Sequence, residues 1–273
     1  MTYGDFFVAT PNYNYSRFLP DAISSVREQS SGSNLRISHH IQDGGSTDNS
    51  IEIIRAHAWE RLSYSSEPDR GQCDAVNRAL KRCPDHTRYV SWLNSDEYYL
   101  PNAFSAVKRF FERNPEKDIV FGDSLHVDIN GNLLKPVAQY RFSPHVLKWR
   151  GTYIQTSSTF YRSKVVESGD LFLDERFKQV MDLELFLRLH NRGYKFGHLP
   201  QFLSGFRIHP DQVTRRNGAG VAATEKKLIP DVDSSYWASK AGNGLHRLLK
   251  IADGGYVREL SARLSRDSSV VRN

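Results

Sequence analysis

The sequence predicts an α/β fold: a mixed, mostly parallel central sheet flanked by helices, with a helical C-terminal extension. Short apolar runs of strand character alternate with segments of helical period through the first half of the chain, the pattern of a parallel sheet covered on both faces. Each run ends in a polar cluster, and ligands of open α/β sheets sit beyond the carboxyl ends of the strands. A length of 273 residues, 39% of them hydrophobic, is enough to bury a core without staples or metals.

In order, Phe6-Phe7-Val8-Ala9 reads as a strand that stops at Pro11, and Phe18, Leu19, Ala22, Ile23 and Val26 recur at helical spacing. Leu35, Ile37, His39 and Ile41 alternate as a second strand ending at Asp43-Gly44-Gly45. Ser46, Thr47, Asp48 and Asn49 are cap candidates for a helix carrying Ile51, Ile54 and Ala58. Residues 62–65 form a third strand, 72–82 a helix, and 89–93 a strand that ends in Asn94-Ser95-Asp96-Glu97. A helix opens at Pro101 or Asn102 and runs to about Asn114, followed by a strand over 119–122.

After that the rhythm loosens. Residues 123–149 suit a hairpin around Asn130-Gly131 and a short helix, 159–161 a strand, and 182–191 a helix stopped by Gly193. From Asn217 onward a loop gives way to helical fragments, in which Val257, Leu260 and Leu264 share one helix face.

Composition removes several classes. With 25% charged residues the chain is neither disordered nor collagen-like, and no apolar run approaches the roughly 20 residues a spanning helix needs. The N-terminus lacks the features of a signal peptide, and Cys73 and Cys83 form no CxxC pair. These features suggest a cytoplasmic protein. The net charge of +6 is concentrated beyond residue 214, where 11 Lys/Arg face 6 Asp/Glu. A basic nucleic-acid module would need stacking motifs beside that charge, and none is present.

Three clusters carry chemistry. In Ser91-Trp92-Leu93-Asn94-Ser95-Asp96-Glu97, a carboxylate just past a strand end offers hard oxygen to Mg2+ or Mn2+, ions that bind through one or two carboxylates plus substrate phosphates. Read blandly it is a polar turn. Gln42-Asp43-Gly44-Gly45-Ser46-Thr47-Asp48 is either a turn with an N-cap or a site where Asp43 accepts from a base N–H; it has neither the dinucleotide fingerprint nor the P-loop pattern. In the third, residues 66–74, Arg70 is a phosphate contact or a solvated surface residue, and Asp74 favours the dipole of the helix it opens.

With Thr10-Pro11-Asn12-Tyr13-Asn14 these clusters resemble the nucleotide-binding half of inverting family 2 glycosyltransferases of the Rossmann-like GT-A fold. The resemblance continues through residues 155–162, Met181-Asp182-Leu183-Glu184-Leu185-Phe186-Leu187-Arg188-Leu189 and Phe206-Arg207-Ile208-His209-Pro210-Asp211-Gln212-Val213-Thr214, so that the ordered series spans roughly residues 5–214.

The resemblance implies a metal-dependent inverting transfer of a sugar from a UDP-, GDP- or dTDP-sugar to a glycan or lipid-linked acceptor. It assigns Thr10, Pro11, Asn12, Tyr13, Asp43, Arg70, Asn94 and Ser95 to the nucleotide, Asp96 and His209 to Mn2+ or Mg2+, and Asp182 to the catalytic base. Asn94 and Glu97 depart from the family's acidic pattern. Glu184 is a rival base, and Gln155 and Arg162 are expected on the sugar or acceptor side. His39 and His40, adjacent on a strand, point to opposite faces and read as structural.

The expected organisation is a nucleotide-sugar half over 1–123, an acceptor and base half over 124–214, and a basic tail over 215–273. The tail's Lys240, Arg247, Lys250, Arg258, Arg263 and Arg266 suit either a peripheral contact with an anionic membrane or a solvated helix. A sugar-phosphate nucleotidyltransferase is the competing enzyme class, but it would need a glycine-rich loop with Arg and Lys after the first strand.

Overall fold

The computed structural model describes residues 4–31, 34–212, 218–233 and 235–265; Val213, Thr214, Asn217 and Arg266 lie outside them. Strand β1 (Gly4–Asn12) is flanked in parallel by β2 (Ile37–Asp43) and β4 (Thr87–Trp92), and β3 (Leu62–Ser66) pairs in parallel outside β2. Beyond β4 the sheet continues through antiparallel β8 (Thr159–Arg162), then β6 (Ile119–Val127), β9 (Phe196–Arg207) and the short edge strand β5 (Tyr98–Tyr99), while β7 (Leu133–Val137) forms the expected hairpin with β6. The register sets Asn12 beside Asp43 and Asp43 beside Ser66. The polar strand ends therefore stand level along one edge.

Strict alternation along β1 explains its place. Phe7 and Ala9 bury against one layer, with Val76 of α3 (Gln72–Leu80), Val146 of α5 (Pro144–Arg150) and Leu183 of α7 (Met181–Asn191). Phe6 and Val8 bury against the other, with Ala22 of α1 (Leu19–Ser30) and Phe104 and Val107 of α4 (Ala103–Arg113). A strand covered on both faces has no polar side to present.

Two strands escape the sequence pattern. β9 carries Pro200 and Gln201 as an irregularity opposite the Gly122/Asp123 step of β6, so its apolar positions do not keep period two. Gly122 is required there, since a Cβ would stand 2.5 Å from Leu203 Cδ1. β5 is two residues long and pairs Tyr98 with Gly205.

The remaining helices are α2 (Ser50–Ala56), α6 (Lys164–Glu167), α8 (Gly218–Lys226), α9 (Tyr236–Ala252) and α10 (Gly255–Leu264). The C-terminal helices dock through polar pins. Arg258 Nε donates to Asp123 Oδ2 at 2.7 Å, Glu259 Oε1 accepts from Ala138 N at 2.9 Å, and Tyr140 Oη meets His246 Nδ1 at 2.7 Å. Val257, Leu260 and Leu264, expected as one helix face, do share a face of α10, but it is exposed. Among the described residues no helix is long and apolar enough to cross a membrane.

Candidate active site

The loop after β2 is tied to the loop after β1. Asp43 is fully buried and accepts from Asn12 Nδ2 (2.7 Å), Ser46 Oγ (2.5 Å), Ser66 Oγ (2.7 Å) and the backbone N–H groups of Gly45 (3.1 Å) and Ser46 (2.9 Å). Burial alone would push its carboxyl up; the hydrogen bonds from Ser46, Ser66 and Asn12 outweigh that and hold it below the usual carboxylate range. Gly44 and Gly45 belong to the same knot. A Cβ on Gly44 would stand 2.6 Å from Asp69 Oδ2, and Gly45 has φ +79°.

Asn14 (φ 57°) closes the knot from the other side, its Oδ1 accepting from Thr47 N at 2.8 Å. Asp48, one of the cap candidates, accepts from Ser50 N and Ser50 Oγ at 3.0 and 2.5 Å at the start of α2. The Thr10 hydroxyl turns inward to His39 Nε2 at 2.8 Å, and both residues are buried. Tyr13 is largely exposed at the loop tip, while Pro11 is buried in β1.

Past β4 the chain builds the acidic loop. His209 Nε2 lies 3.0 Å from Asp96 Oδ2, and both residues are buried. The His209 ring packs against Tyr15 and Phe18, with centroids at 5.6 and 4.8 Å. Asn94 accepts from Gln72 Nε2 at 2.8 Å and donates to Glu97 Oε1 at 3.1 Å; Ser95 is buried between them and Asp96. Burial first, and the neighbouring Asp96 charge second, push the Glu97 carboxyl up to about 8. Glu97 is thus an inward-facing group that supports Asn94.

Asp182 stands at the N-terminus of α7, partly buried, with its Oδ1 accepting from Leu183 N at 2.8 Å. Burial pushes its pKa up to about 6, against the lowering effects of backbone hydrogen bonds, the Thr152 hydroxyl and the Lys226 charge. The rival Glu184 is ion-paired with Arg188 Nε at 2.7 Å. The start of α3 links the acidic loop to this segment, since Gln72 holds Asn94 while Cys73 Sγ contacts Phe177 O at 3.1 Å and Met181 Sδ at 3.2 Å.

Arg70 is exposed and shared between Asp74 and Glu175, with contacts of 3.4 and 2.9 Å. Arg162 is spent on the end of α4 and the turn that follows it, donating to Lys117 O (2.7 Å), Phe111 O (2.8 Å) and Asn114 O (3.3 Å), at the end of β8 that pairs with Tyr89.

Two residues outside the sequence-predicted set matter to this geometry. Arg207 is buried, donates to Asp96 O at 3.0 Å and to Asp21 Oδ2 at 2.6 Å, and lies over the rings of Phe18 and Tyr98. Its signal was its position two residues before His209, at the end of a strand hidden by irregular pairing. Glu225 accepts from three successive backbone N–H groups ahead of α7: Lys178 (2.9 Å), Gln179 (2.9 Å) and Val180 (3.1 Å). No local pattern in the sequence marks it.

Among the described residues no group of three His, Cys, Asp or Glu side chains is gathered as a metal cage. The pair Asp96 and His209 still suits a divalent cation that draws its remaining ligands from a bound diphosphate, because Mg2+ and Mn2+ sites in nucleotide enzymes use few protein donors. The orphaned, buried Nδ1 of His209 leaves Nε2 as the nitrogen that faces the carboxylate.

A model of glycosyl transferase family 2 matches residues 7–177. An uncharacterized glycosyltransferase of Methanocaldococcus jannaschii is 24% identical over 211 residues, which are 74% of this chain and 70% of that protein. The chondroitin synthase of Pasteurella multocida is also 24% identical over 211 residues, 76% of this chain and 21% of the synthase. Residues 1–349 of S. aureus TarS, solved in complex with UDP-GlcNAc, superpose with a TM-score of 0.61 at 17% identity, over 77% of this chain and 60% of that one. The mannosyltransferase PcManGT from Pyrobaculum calidifontis, solved with GDP-Man and Mn2+, gives a TM-score of 0.58 at 14% identity over 98% of this chain and 82% of that one. The chain thus spans about three fifths of the TarS fragment and a fifth of the chondroitin synthase. The structural likeness shows the GT-A fold, and the family match extends over more than half of the sequence: the chain belongs to glycosyl transferase family 2.

Proposed function

We propose that this glycosyltransferase moves a sugar from a nucleotide-diphospho-sugar to an acceptor hydroxyl with inversion, in assembly of a polysaccharide, glycan or glycolipid, and that it uses Mn2+ or Mg2+. The observation that carries the reading is the linkage through α3: Gln72 holds the Asp96 loop through Asn94, and Cys73 contacts Met181 beside Asp182. The loop that carries Asp96 and the residue next to Asp182 therefore both touch the start of α3.

In this reading Asp182 accepts the proton of the acceptor hydroxyl as its oxygen attacks the anomeric carbon and the bond from that carbon to the diphosphate breaks. A pKa near 6 suits the role, since the group is ionised at neutral pH yet basic enough to take a proton. Asp96 and His209 are the residues that would hold the cation. When bound, the cation supplies Lewis-acid neutralisation of the departing diphosphate. The loops of residues 10–14 and 43–48 are the proposed nucleoside side, with Arg70 at its rim. The interlocked hydrogen bonds of Asp43 and Asn14 support this by fixing the loops before any ligand arrives. The relatives support the donor class: neighbours of this fold were solved with UDP-GlcNAc and with GDP-Man and Mn2+.

The proposed acceptor is a glycan or a lipid-linked one, with peripheral contact to an anionic membrane through the C-terminal helices. On α9, Trp237, Ala241, Gly244, Leu248 and Ile251 form an exposed stripe at helical spacing. The acidic residues that end α9 and lie within α10 are engaged with the body, Asp253 with Arg141 and Glu259 with Lys250 and Ala138 N. The exposed charges of the two helices, Lys240, Arg247 and Arg263, are cationic, which complements an anionic headgroup layer.

The test is a panel of nucleotide-sugars with and without Mn2+, read by nucleotide release and by thermal shift. The reading requires a donor that stabilises the protein only with metal and that is consumed when acceptor is added. Absence of any metal-dependent nucleotide binding across the panel rejects it.

A further inference from the structure

Helix α8 reaches back to the segment that carries Asp182, from a part of the chain that lies beyond the family match. Glu225 is buried, and both of its carboxylate oxygens are used by the backbone N–H groups of residues 178–180. Those donors enter α7, whose N-cap residue Val180 offers no side-chain cap. A carboxylate on three successive N–H groups is a charge-assisted clamp, stronger than neutral pairs, and it fixes the direction in which the chain turns into the helix. The next residue, Lys226, lies against Gly151, its Nζ 3.1 Å from where a Cβ would stand. Gly151 adjoins Thr152, and the Thr152 hydroxyl and the Lys226 charge both act to lower the pKa of Asp182.

We propose that α8 is the mount of the catalytic base: Glu225 is a positioning residue that locks the backbone ahead of Asp182, and Lys226 is a positioning cation on the Gly151–Thr152 side of the carboxylate. The inference rests on Asp182 being the base. The titratable groups around Asp182 are Lys226 from α8, Tyr161 from β8 and, on its own helix, Glu184, which is neutralised by Arg188. Tyr161 is held well above the ordinary phenol range by burial and by the Asp182 charge, so it stays neutral through the working pH range. Lys226 is then a cation whose charge favours the ionised Asp182 carboxylate, opposing in part the larger effect of burial. An error of about 1 Å in a base's position costs on the order of a hundredfold in rate.

The experiment compares three variants in full-length protein: Glu225→Gln, Lys226→Met and Asp182→Asn. Gln keeps one acceptor but turns an NH2 group toward backbone donors, so E225Q is expected to lower kcat at least about tenfold while the donor KM stays within about twofold. K226M is expected to move the acid limb of the kcat–pH profile up by about half a pH unit, because loss of the cation favours protonated Asp182. A structural role alone would not move that limb. If D182N is inactive while E225Q keeps wild-type kcat and K226M keeps the wild-type profile, the mount is refuted and the base stands. Equal losses of kcat and donor binding in E225Q likewise refute it. An active D182N removes the base reading and the mount with it. Should E225Q fail to fold, the K226M profile decides alone.

Discussion

His209 Nε2 lies 3.0 Å from Asp96 Oδ2, although 113 residues separate them in the chain. The contact exists because β9 runs alongside β6 and, beyond it, pairs with β5, directly after the acidic loop. Arg207 ties the two together through Asp96 O. For a divalent cation this pair is the proposed protein contribution. Asp96→Ala is expected to abolish Mn2+-dependent nucleotide binding, and His209→Ala to weaken it by roughly ten- to a hundredfold. Isothermal titration of UDP or GDP with and without Mn2+ measures both. Wild-type affinity in D96A would remove the metal assignment.

Asp182→Asn should leave donor binding intact and lower kcat by about 10²- to 10⁴-fold, the usual worth of a general base. In wild type the acid limb of kcat/KM is expected near pH 6, where the carboxyl titrates. Stability runs the other way. A carboxyl whose folded pKa is above its unfolded value disfavours the native state once ionised, so this stabilising contribution is present below the unfolded pKa and is lost as pH rises through about 6. D182N is therefore expected to be more stable than wild type at pH 7.5, by about 1–2 kcal/mol after discount for partial exposure, and no more stable at pH 4. Urea titrations at the two pH values test the crossing.

For Asp43 the sign reverses. Its folded pKa is lowered by a ring of donors, so its contribution is complete above the unfolded pKa and is lost as pH falls through the folded one. Asp43→Asn exchanges an acceptor for an NH2 group facing Asn12, Ser46 and Ser66, and should cost about 2–4 kcal/mol at neutral pH. An unchanged midpoint in urea would show that the knot does not stiffen the fold.

His39 and His40 predict acid sensitivity. Burial lowers His39 to about 3 and His40 to about 4, while both titrate near 6.5 when unfolded. Between those values the unfolded chain binds more protons than the native one, so stability declines steadily from about pH 6.5 to pH 4. His39→Gln should flatten that slope. A slope identical to wild type would mean that His39 accepts charge in the folded state.

The exposed stripe on α9 gives a binding prediction. Leu248→Asp and Ile251→Asp put carboxylates among Arg247 and Lys240 on an already exposed face, so folding should be unaffected within about 0.5 kcal/mol. Co-sedimentation with vesicles containing anionic lipid is expected for wild type and lost in these variants. Equal sedimentation of all three forms, or none, would rule out a bilayer as the partner of this face.

Much of the first half was legible because parallel strands buried on both faces leave continuous apolar runs bounded by polar breaks. Phe6 to Ala9 is such a run, Tyr89 to Trp92 is one interrupted only by Ser91, and the helices between them keep helical period. β9 was hidden because Pro200 and Gln201 break its alternation and Gly197 and Gly205 thin it. The C-terminal helices were legible only in part. Val257, Leu260 and Leu264 do share an exposed face of α10, whereas the contacts of Arg258 and Glu259 that hold the helix to the body are polar and leave no periodic signal. Hydrophobic spacing cannot tell an inward stripe from one left for another surface.

The sequence by itself determined the alternation of strands and helices through the first half, the polar ends of those strands and the candidate residues along them, since each depends on neighbours within a turn or a strand. Only the tertiary structure decided that Asp96 meets His209, that Asp43 spends its oxygens on Asn12, Ser46 and Ser66, and that Glu225 clamps the entry to α7. Those contacts join positions 31 and 113 residues apart in the clearest cases. Their partners are selected by strand register and helix docking, quantities that belong to the whole packed chain and leave no periodic trace in any local stretch of it.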